Sequence, residues 1–305
     1  MSTAISWLTG ARYGIKRVCE AWEQPRSTYY ARMTRIAHPA PTTTPKQKRG
    51  PKTVLSDDTL LTAIHQTIQQ SPFSGEGYRK IWFSLRHGPK RLHIGPNRVL
   101  RLMRQHKLLS PYRRRPAPRE LHDRTITTNA PNLMWGTDGT QVLTVEDGYV
   151  WVFSAVEHWN SECVGMYVCK QGTRFNAVQP VLEGVQTIFG NVARGVATGL
   201  AVRLDHGSAN CSEHFQGEIK RLGITPSFSF VEEPQTNGVV ERFNRTLKEQ
   251  AIYGRVFRTL DDVRNAVLQF REQYNRSWRL EKLGYKTPLE AREQYATAGL
   301  KQAAA

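Results

Sequence analysis

The clearest pattern along the chain begins near residue 131, where short apolar strands and amphipathic helices follow one another. Residues 134–145 and 149–159 have the composition of two strands, and the Asp-Gly pair between them at 147–148 is typical of a hairpin turn. A third strand and a helix follow, then strands alternate with helices, and two helices close the pattern. This order predicts an α/β fold in which helices cover a mixed sheet.

Upstream, residues 56–109 show the three- and four-residue spacing of amphipathic helices. Ser56 opens the first of three predicted helices, and Pro96 occupies the first turn of the last one. Three helices that end in a basic helix favour a helix-turn-helix domain with its last helix against a DNA groove. The basic positions of that helix, on the side away from its apolar stripe, are Arg98, Arg101 and Arg104. A solvated basic face is the alternative, and contacts with DNA would be mostly to phosphate.

The first segment, residues 5–35, predicts two short helices around a turn. Cys19, Trp22 and Tyr30 are its candidate core residues. A unit of this size suits half of a helix-turn-helix or an adaptor to another polypeptide, and a solvated helical hairpin is equally compatible with the pattern.

Charge divides the chain more sharply than hydropathy does. The net charge is +17, and residues 1–130 hold 24 Lys and Arg against 7 Asp and Glu, whereas the remaining residues balance at 19 of each. Excess charge confined to one part of the chain indicates a polyanionic partner, and no amphipathic helix with a bulky apolar face supports a membrane surface. Nucleic acid is therefore the expected partner. A basic, proline-containing linker that carries Arg113, Arg114 and Arg115 adds to this surface.

These patterns predict six segments. They are a helical module (1–37), a basic Pro- and Thr-rich linker (38–55), a helix-turn-helix DNA-binding domain (56–110), a basic extended linker (111–130), a catalytic core (131–255), and C-terminal helices with a tail (256–305).

Several classes of protein are disfavoured. No apolar run approaches the ~18 residues of a membrane span, and the first 30 residues lack the apolar stretch of a signal peptide. We therefore expect a cytoplasmic protein that does not bind membranes. The four cysteines form no Cys-X-X-Cys pair, so we expect small buried side chains, not a disulfide framework or a zinc site.

Three acids lie where a sheet of this order would bring them together. Asp138 is in the first strand, Asp205 ends the strand at 200–205, and Glu241 is one turn into a later helix. Carboxylates that converge in a cleft repel one another unless cations neutralise them, and hard oxygen ligands suit Mg²⁺ or Mn²⁺. Two such ions would assist phosphoryl transfer. Taken singly, the acids also fit a buried hydrogen-bonded carboxylate, a turn cap and a surface helix residue, respectively.

Local motifs favour the catalytic interpretation. The segments at 135–142, 204–215 and 232–250, with 35 residues between Asp205 and Glu241, resemble the catalytic core of retroviral-integrase-like DDE transposases. The segment 74–109 resembles the helix-turn-helix region that precedes this core in a large group of bacterial insertion sequences, and 274–290 resembles that group's C-terminal signature. The resemblance covers residues 57–293, and the chain is most similar to the product of the second, catalytic reading frame of frameshifting elements.

The resemblance implies a ribonuclease-H-like fold in which Asp138, Asp205 and Glu241 are catalytic and bind two Mg²⁺ ions, with Mn²⁺ as a substitute. Lys248 and Arg245 then lie near the DNA ends, because they are seven and four residues beyond Glu241 on the helix. The remaining expected contributors are Asn237 and Gly238 at the helix entry, Thr140 beside Asp138, and His206 with Gly207 after Asp205. His206 replaces the Asn usual in the family, so a different pH response or metal preference is expected.

The function that the resemblance implies is that of a transposase, a Mg²⁺-dependent polynucleotidyl transferase. It would cleave the ends of an insertion sequence, and the released 3′-hydroxyl would attack a phosphodiester of target DNA so that the strand is joined. It would act as a homo-oligomer bridging two terminal repeats, with the upstream-frame product as a further candidate partner. Two alternatives are a non-catalytic DNA-binding regulator of its own element and a plain metal-dependent nuclease. The regulator would be indifferent to Glu241→Gln, and the nuclease would cut DNA without joining it.

Overall fold

The computed structural model describes residues 3–38, 55–110, 126–228 and 238–303. The chain divides into two compact units, Met1–Val54 and Leu55–Ala305. In the first unit, α1 (Ile15–Ala21) and α2 (Arg26–Ala37) form the predicted helical pair. Its predicted core is wrong in part: Cys19 is buried, but Trp22 and Tyr30 are 62% and 48% exposed. Only α1 buries a residue, and α2 buries none.

The second unit opens with the three predicted helices, α3 (Asp57–Gln70), α4 (Tyr78–His87) and α5 (Pro96–Gln105). The Ser56 side chain caps α3 by accepting from the Thr59 amide at 3.1 Å. Apolar side chains from all three helices form one small core, whose fully buried members are Leu60, Ile64, Ile81, Leu85, Val99, Leu102 and Met103. This confirms the predicted helical domain and its apolar faces.

A five-stranded sheet forms the centre of the unit. The strands are β1 (Met134–Thr144), β2 (Gly148–Glu157), β3 (Cys163–Cys169), β4 (Ala201–Leu204) and β5 (Thr225–Phe228), in the spatial order β3-β2-β1-β4-β5. The first three strands are antiparallel, and β4 and β5 run parallel to β1 and to each other. The mixed sheet of the predicted ribonuclease-H-like fold is thereby confirmed.

Helices cover both faces of the sheet. They are α6 (Arg174–Ala177), α7 (Gln179–Phe189), α8 (Glu213–Arg221), α9 (Gly238–Leu247), α10 (Leu260–Ser277) and α11 (Pro288–Ala303), with a 3₁₀ turn at Glu281–Leu283 before the last. One apolar core lies between the sheet and α7 and α8, and the other lies between the sheet and α9 and α10. No helix among the described residues is long and apolar enough to cross a membrane.

Three local expectations were wrong. The single helix predicted after the third strand is two helices that meet at Val178, next to Pro180, which has no backbone N–H to continue the hydrogen-bond ladder. The helix carrying Glu241 changes from α to a five-residue π-helix at Lys248–Ile252. Cys19, Cys163 and Cys169 are buried as expected, but Cys211 is exposed, because it lies in the turn before α8.

Candidate active site

Asp138 lies in the middle of β1, the central strand, opposite Ser154 of β2. Its side chain is half-buried and held on both oxygens. Oδ1 accepts from the Gly139 amide at 2.8 Å, and Oδ2 accepts from the Asn244 Nδ2 of α9 at 2.9 Å. The carboxylate is therefore fixed between the sheet and the helix that covers it.

Asp205 follows β4 directly. In the parallel pair, Gly136 of β1 aligns with Arg203 of β4, so two residues further along both strands Asp138 and Asp205 come to the same edge. The exposed Asp205 Oδ1 accepts from the Gly207 amide at 2.9 Å and from Asn210 Nδ2 at 2.6 Å. A Cβ atom on Gly207 would lie 2.9 Å from this oxygen.

Glu241 lies in the first turn of α9. Val240, Phe243 and Leu247 pack against the sheet and α10, and this leaves the Glu241 side chain on the exposed side. The three acids therefore come from three separate parts of the fold, as expected, and their catalytic role stays a prediction.

Electrostatic interactions connect the three acids through Asp138. Burial raises the pKa of Asp138, and the charge of Asp205 raises it further, while Asn244, Gly139 and the Lys248 ammonium favour the ionised form. Burial also raises the pKa of Glu241, with the charge of Asp138 adding to the effect and Arg245 opposing it. Asp138 is thus near enough to interact with an acid on each side and with Lys248.

The acids are neighbours but do not form a closed ligand cluster. Among the described residues, no group of three or more His, Cys, Asp and Glu side chains is close enough together to hold a metal ion. Asp205 turns toward its own loop, where its Oδ1 accepts from Gly207 and Asn210.

Asn244 is a site residue that the sequence analysis missed. It is buried, donates to Asp138, and accepts from Ser154 Oγ at 3.0 Å. A signal was present: Asn244 is four residues after Val240 and three before Leu247, so it is a polar residue on the buried stripe of α9. An amide at such a position needs buried hydrogen-bond partners.

The other expected site residues are distributed around this centre. Thr140 is buried on the same face of β1 as Asp138, Gly238 begins α9, and the His206 ring stacks on Phe228 at 5.5 Å. Asn237 lies outside the described residues.

Two of the three predicted DNA-binding arginines on α5 are paired within the helical domain. Asp57 accepts from Arg98 at 2.7 Å and from Arg101 at 2.6 Å, and these arginines lower its pKa to about 2. Arg104 is exposed. Arg113, Arg114 and Arg115 lie outside the described residues, so contact of any of these six with DNA stays a prediction.

Known families match both parts of this unit. Residues 56–116 match the HTH-like domain, and residues 222–288, which include Glu241, match the integrase core domain. The chain is 29% identical over 255 residues to the transposase InsD of the insertion elements IS2A/D/F/H/I/K of Escherichia coli, covering 80% of this chain and 82% of the relative. InsD of IS2-9 from strain K12 is equally similar, with 80% of each chain covered.

Solved structures with similarity include viral integrases. The simian T-cell lymphotropic virus intasome in complex with the PP2A regulatory subunit B56 gamma is 17% identical, with a TM-score of 0.41 over 74% of this chain and 70% of that chain. The HTLV-2 integrase catalytic core domain in complex with magnesium is 19% identical, with a TM-score of 0.38 over 53% and 97% of the two chains. Together, the two domain matches and the similarity to InsD confirm the resemblance expected from the motifs: the chain has an HTH-like domain ahead of an integrase core domain and is similar to insertion-sequence transposases.

Proposed function

We propose that this protein is a metal-dependent polynucleotidyl transferase that cleaves the ends of an insertion sequence and joins them to target DNA. The observation that carries the proposal is the position of Asp138, which interacts electrostatically with Asp205, Glu241 and Lys248. Raised carboxylate pKa values that have a specific charge partner are common at functional sites. Homology to transposases and integrases supports the same reaction class.

The residues fit a divalent cation chemically. Asp138, Asp205 and Glu241 offer the hard oxygen donors that Mg²⁺ and Mn²⁺ prefer, and they would hold two such ions. Burial and mutual repulsion raise the pKa of Asp138 and Glu241, and a bound cation relieves both effects. When bound, the ions would activate the attacking oxygen and neutralise the negative charge that develops on the leaving oxygen.

The chain's own residues would hold and orient the reactants. Asn244 keeps the Asp138 carboxylate in one orientation, and the loop at Gly207 and Asn210 does the same for Asp205. Lys248 and Arg245 lie beside the acids and would bind phosphate groups of the DNA end. Positioning and charge stabilisation of this kind are the protein's share of phosphoryl transfer.

Thr140, His206, Gly207, Asn237 and Gly238 would support this site from the surrounding strand, turn and helix entry. The HTH-like domain would bind the terminal repeat through phosphate contacts, and a homo-oligomer would bridge two ends. The six segments predicted from the sequence are proposed as the domain organisation, and the upstream-frame product is a proposed further partner.

Strand transfer on a labelled duplex tests this function. The duplex would carry the DNA that flanks the coding region, and reactions with Mg²⁺ would compare wild type with Glu241→Gln. Glu272→Gln is a matched control, because Glu272 is an exposed acid on α10. We expect joined products from wild type and the control but not from Glu241→Gln, with equal DNA binding by all three.

Two outcomes would contradict the proposal. Binding without joining by every protein, also when the upstream-frame product is added, would leave a DNA-binding regulator. Cleavage without joining would indicate a nuclease.

A further inference from the structure

The loop between α3 and α4, residues 71–77, belongs to the HTH-like domain but inserts into the integrase core. Its Phe73 is 5% exposed and packs in the apolar core formed by the sheet, α9 and α10. The ring also meets Trp278 edge-on, with 4.8 Å between centroids. We call these residues the α3–α4 loop. This loop buries the Phe73 side chain in the integrase core and not in the HTH-like domain to which the loop belongs.

One side chain of the core fixes the backbone of this loop. Gln250 Oε1 accepts from the Ser74 amide at 2.8 Å, and Gln250 Nε2 donates to the Ser74 carbonyl at 2.9 Å. Both hydrogen bonds involve only backbone atoms of Ser74. Because the Gln250 side-chain amide pairs with both the N–H and the carbonyl of Ser74, it fixes the orientation of that residue as well as its distance. Two residues paired in neighbouring strands are held in the same manner.

The loop itself is braced within the HTH-like domain. Ser71 Oγ donates to Glu76 at 2.7 Å and accepts from the Phe73 amide at 3.2 Å. Gly75 has φ of +65°, and a Cβ atom there would lie 3.0 Å from Ser110 Oγ. These hydrogen bonds and the positive φ of Gly75 restrain the conformation of the loop.

Contacts of α4 extend the same interface. The Lys80 ammonium lies over the Trp278 ring at 2.9 Å from its centroid. Phe83 stacks on Tyr285 with centroids 5.0 Å apart. Arg79 forms an ion pair with Glu281. The HTH-like domain therefore contacts the core through aromatic, charged and backbone groups together.

Gln250 is placed where such a contact affects the proposed active site. It lies in the π-helix that continues α9, two residues after Lys248. Residues two apart on a helix lie on roughly opposite sides, so Gln250 and Lys248 extend away from each other. Lys248 interacts with Asp138, and Gln250 holds the α3–α4 loop. Helical segments of π type are frequent at functional sites.

We propose that the α3–α4 loop and Gln250 couple the HTH-like domain to the active site: docking of the loop sets the position of the helix that carries Glu241 and Lys248. Gln250 is accordingly a positioning residue, and the role rests on the proposed function of the acids. DNA bound by the HTH-like domain then reaches a core whose catalytic helix is already held in place.

Full-length variants test the coupling. Gln250→Ala removes both hydrogen bonds, and Gln250→Glu keeps the acceptor for the Ser74 amide but loses the donor. Ser74→Ala is the matched control, because only its backbone is bound by Gln250. The measurements are joining rate at saturating end DNA, Kd for the same DNA, melting temperature, and hydrogen exchange of residues 238–252.

We expect Gln250→Ala to slow joining about ten- to a hundredfold, the loss typical of a small misplacement of reacting groups. Its Kd for DNA should stay within about twofold of wild type, since the DNA-binding helices are unchanged. The joining rate of Gln250→Glu should lie between those of wild type and Gln250→Ala. If Gln250→Ala does not fold, Gln250→Glu is the variant that tests the proposal. Ser74→Ala should match wild type. Equal joining rates for wild type and both Gln250 variants would overturn the proposal.

Hydrogen exchange separates this inference from the proposed function. If wild type joins no DNA, the proposed function fails, and exchange alone decides the coupling. Faster exchange at 241–248 in Gln250→Ala, but not in Ser74→Ala, would support positioning of the helix by the loop. Unchanged exchange in both would refute it.

Discussion

The hydrogen bond from Asn244 to Asp138 gives the sharpest test of how the site is built. Asn244→Ala removes a buried donor from a carboxylate and also leaves the buried Ser154 hydroxyl without its partner. A hydrogen bond to a charged group contributes about 1.5–3 kcal/mol, and an unsatisfied buried hydroxyl costs about 1–3 kcal/mol. The free energy of unfolding at neutral pH should therefore fall by about 2.5–6 kcal/mol.

The pH dependence of this loss identifies its cause. Burial raises the pKa of Asp138 above 3.8, so its contribution to stability is present at low pH and is lost as pH rises through the folded-state pKa. Asn244 favours the ionised form, so its removal should cost more at pH 7 than in acid, where Asp138 is protonated. The difference should be on the order of the charged hydrogen bond, about 1.5–3 kcal/mol.

Urea unfolding of four proteins across pH provides the assay: wild type, Asn244→Ala, Asp138→Asn and the double variant. In the Asp138→Asn background, the cost of Asn244→Ala should no longer vary with pH, because the titrating group is absent. A cost that is the same at every pH in the wild-type background would refute the argument. It would mean that Asn244 acts only through packing and the Ser154 hydroxyl.

Three further predictions concern other parts of the chain. Burial lowers the pKa of Lys80 from the ordinary lysine value of 10.5 to about 7, so the free energy of unfolding should decrease as the pH is lowered from 10.5 toward 7. Lys80→Met should remove this pH dependence in unfolding measurements. An unchanged pH dependence would contradict the burial argument. Gly165→Ala would place a Cβ 1.8 Å from a carbonyl of α7 and should cost about 3 kcal/mol in urea unfolding. Gly217→Ala, which meets nothing within 4 Å on α8, should instead stabilise by about 1 kcal/mol, and equal effects would refute the packing explanation. Asp57→Asn should release two α5 arginines and steepen the salt dependence of DNA affinity measured by fluorescence anisotropy, whereas an unchanged salt slope would mean that they do not reach DNA.

The sequence by itself determined the elements and the acids. Apolar periodicity and capping residues such as Ser56 act over a few neighbours, so α3, α5 and the strands follow from local pattern. Asp138, Asp205 and Glu241 were predicted as site residues because the motifs around them resemble those of retroviral-integrase-like DDE transposases. The order of strands and helices further indicated the mixed sheet that the structure contains.

Only the tertiary structure decided which groups act on one another. Asn244 meets Asp138 across 106 positions of sequence, and Gln250 meets Ser74 across 176. No local pattern encodes such pairs, since they depend on how α9 lies on the sheet and how the HTH-like domain lies on the core. The packing of the chain likewise leaves Trp22 exposed and pairs Arg98 with Asp57. Exposure and ion pairing depend on the packed chain and not on the order of its residues.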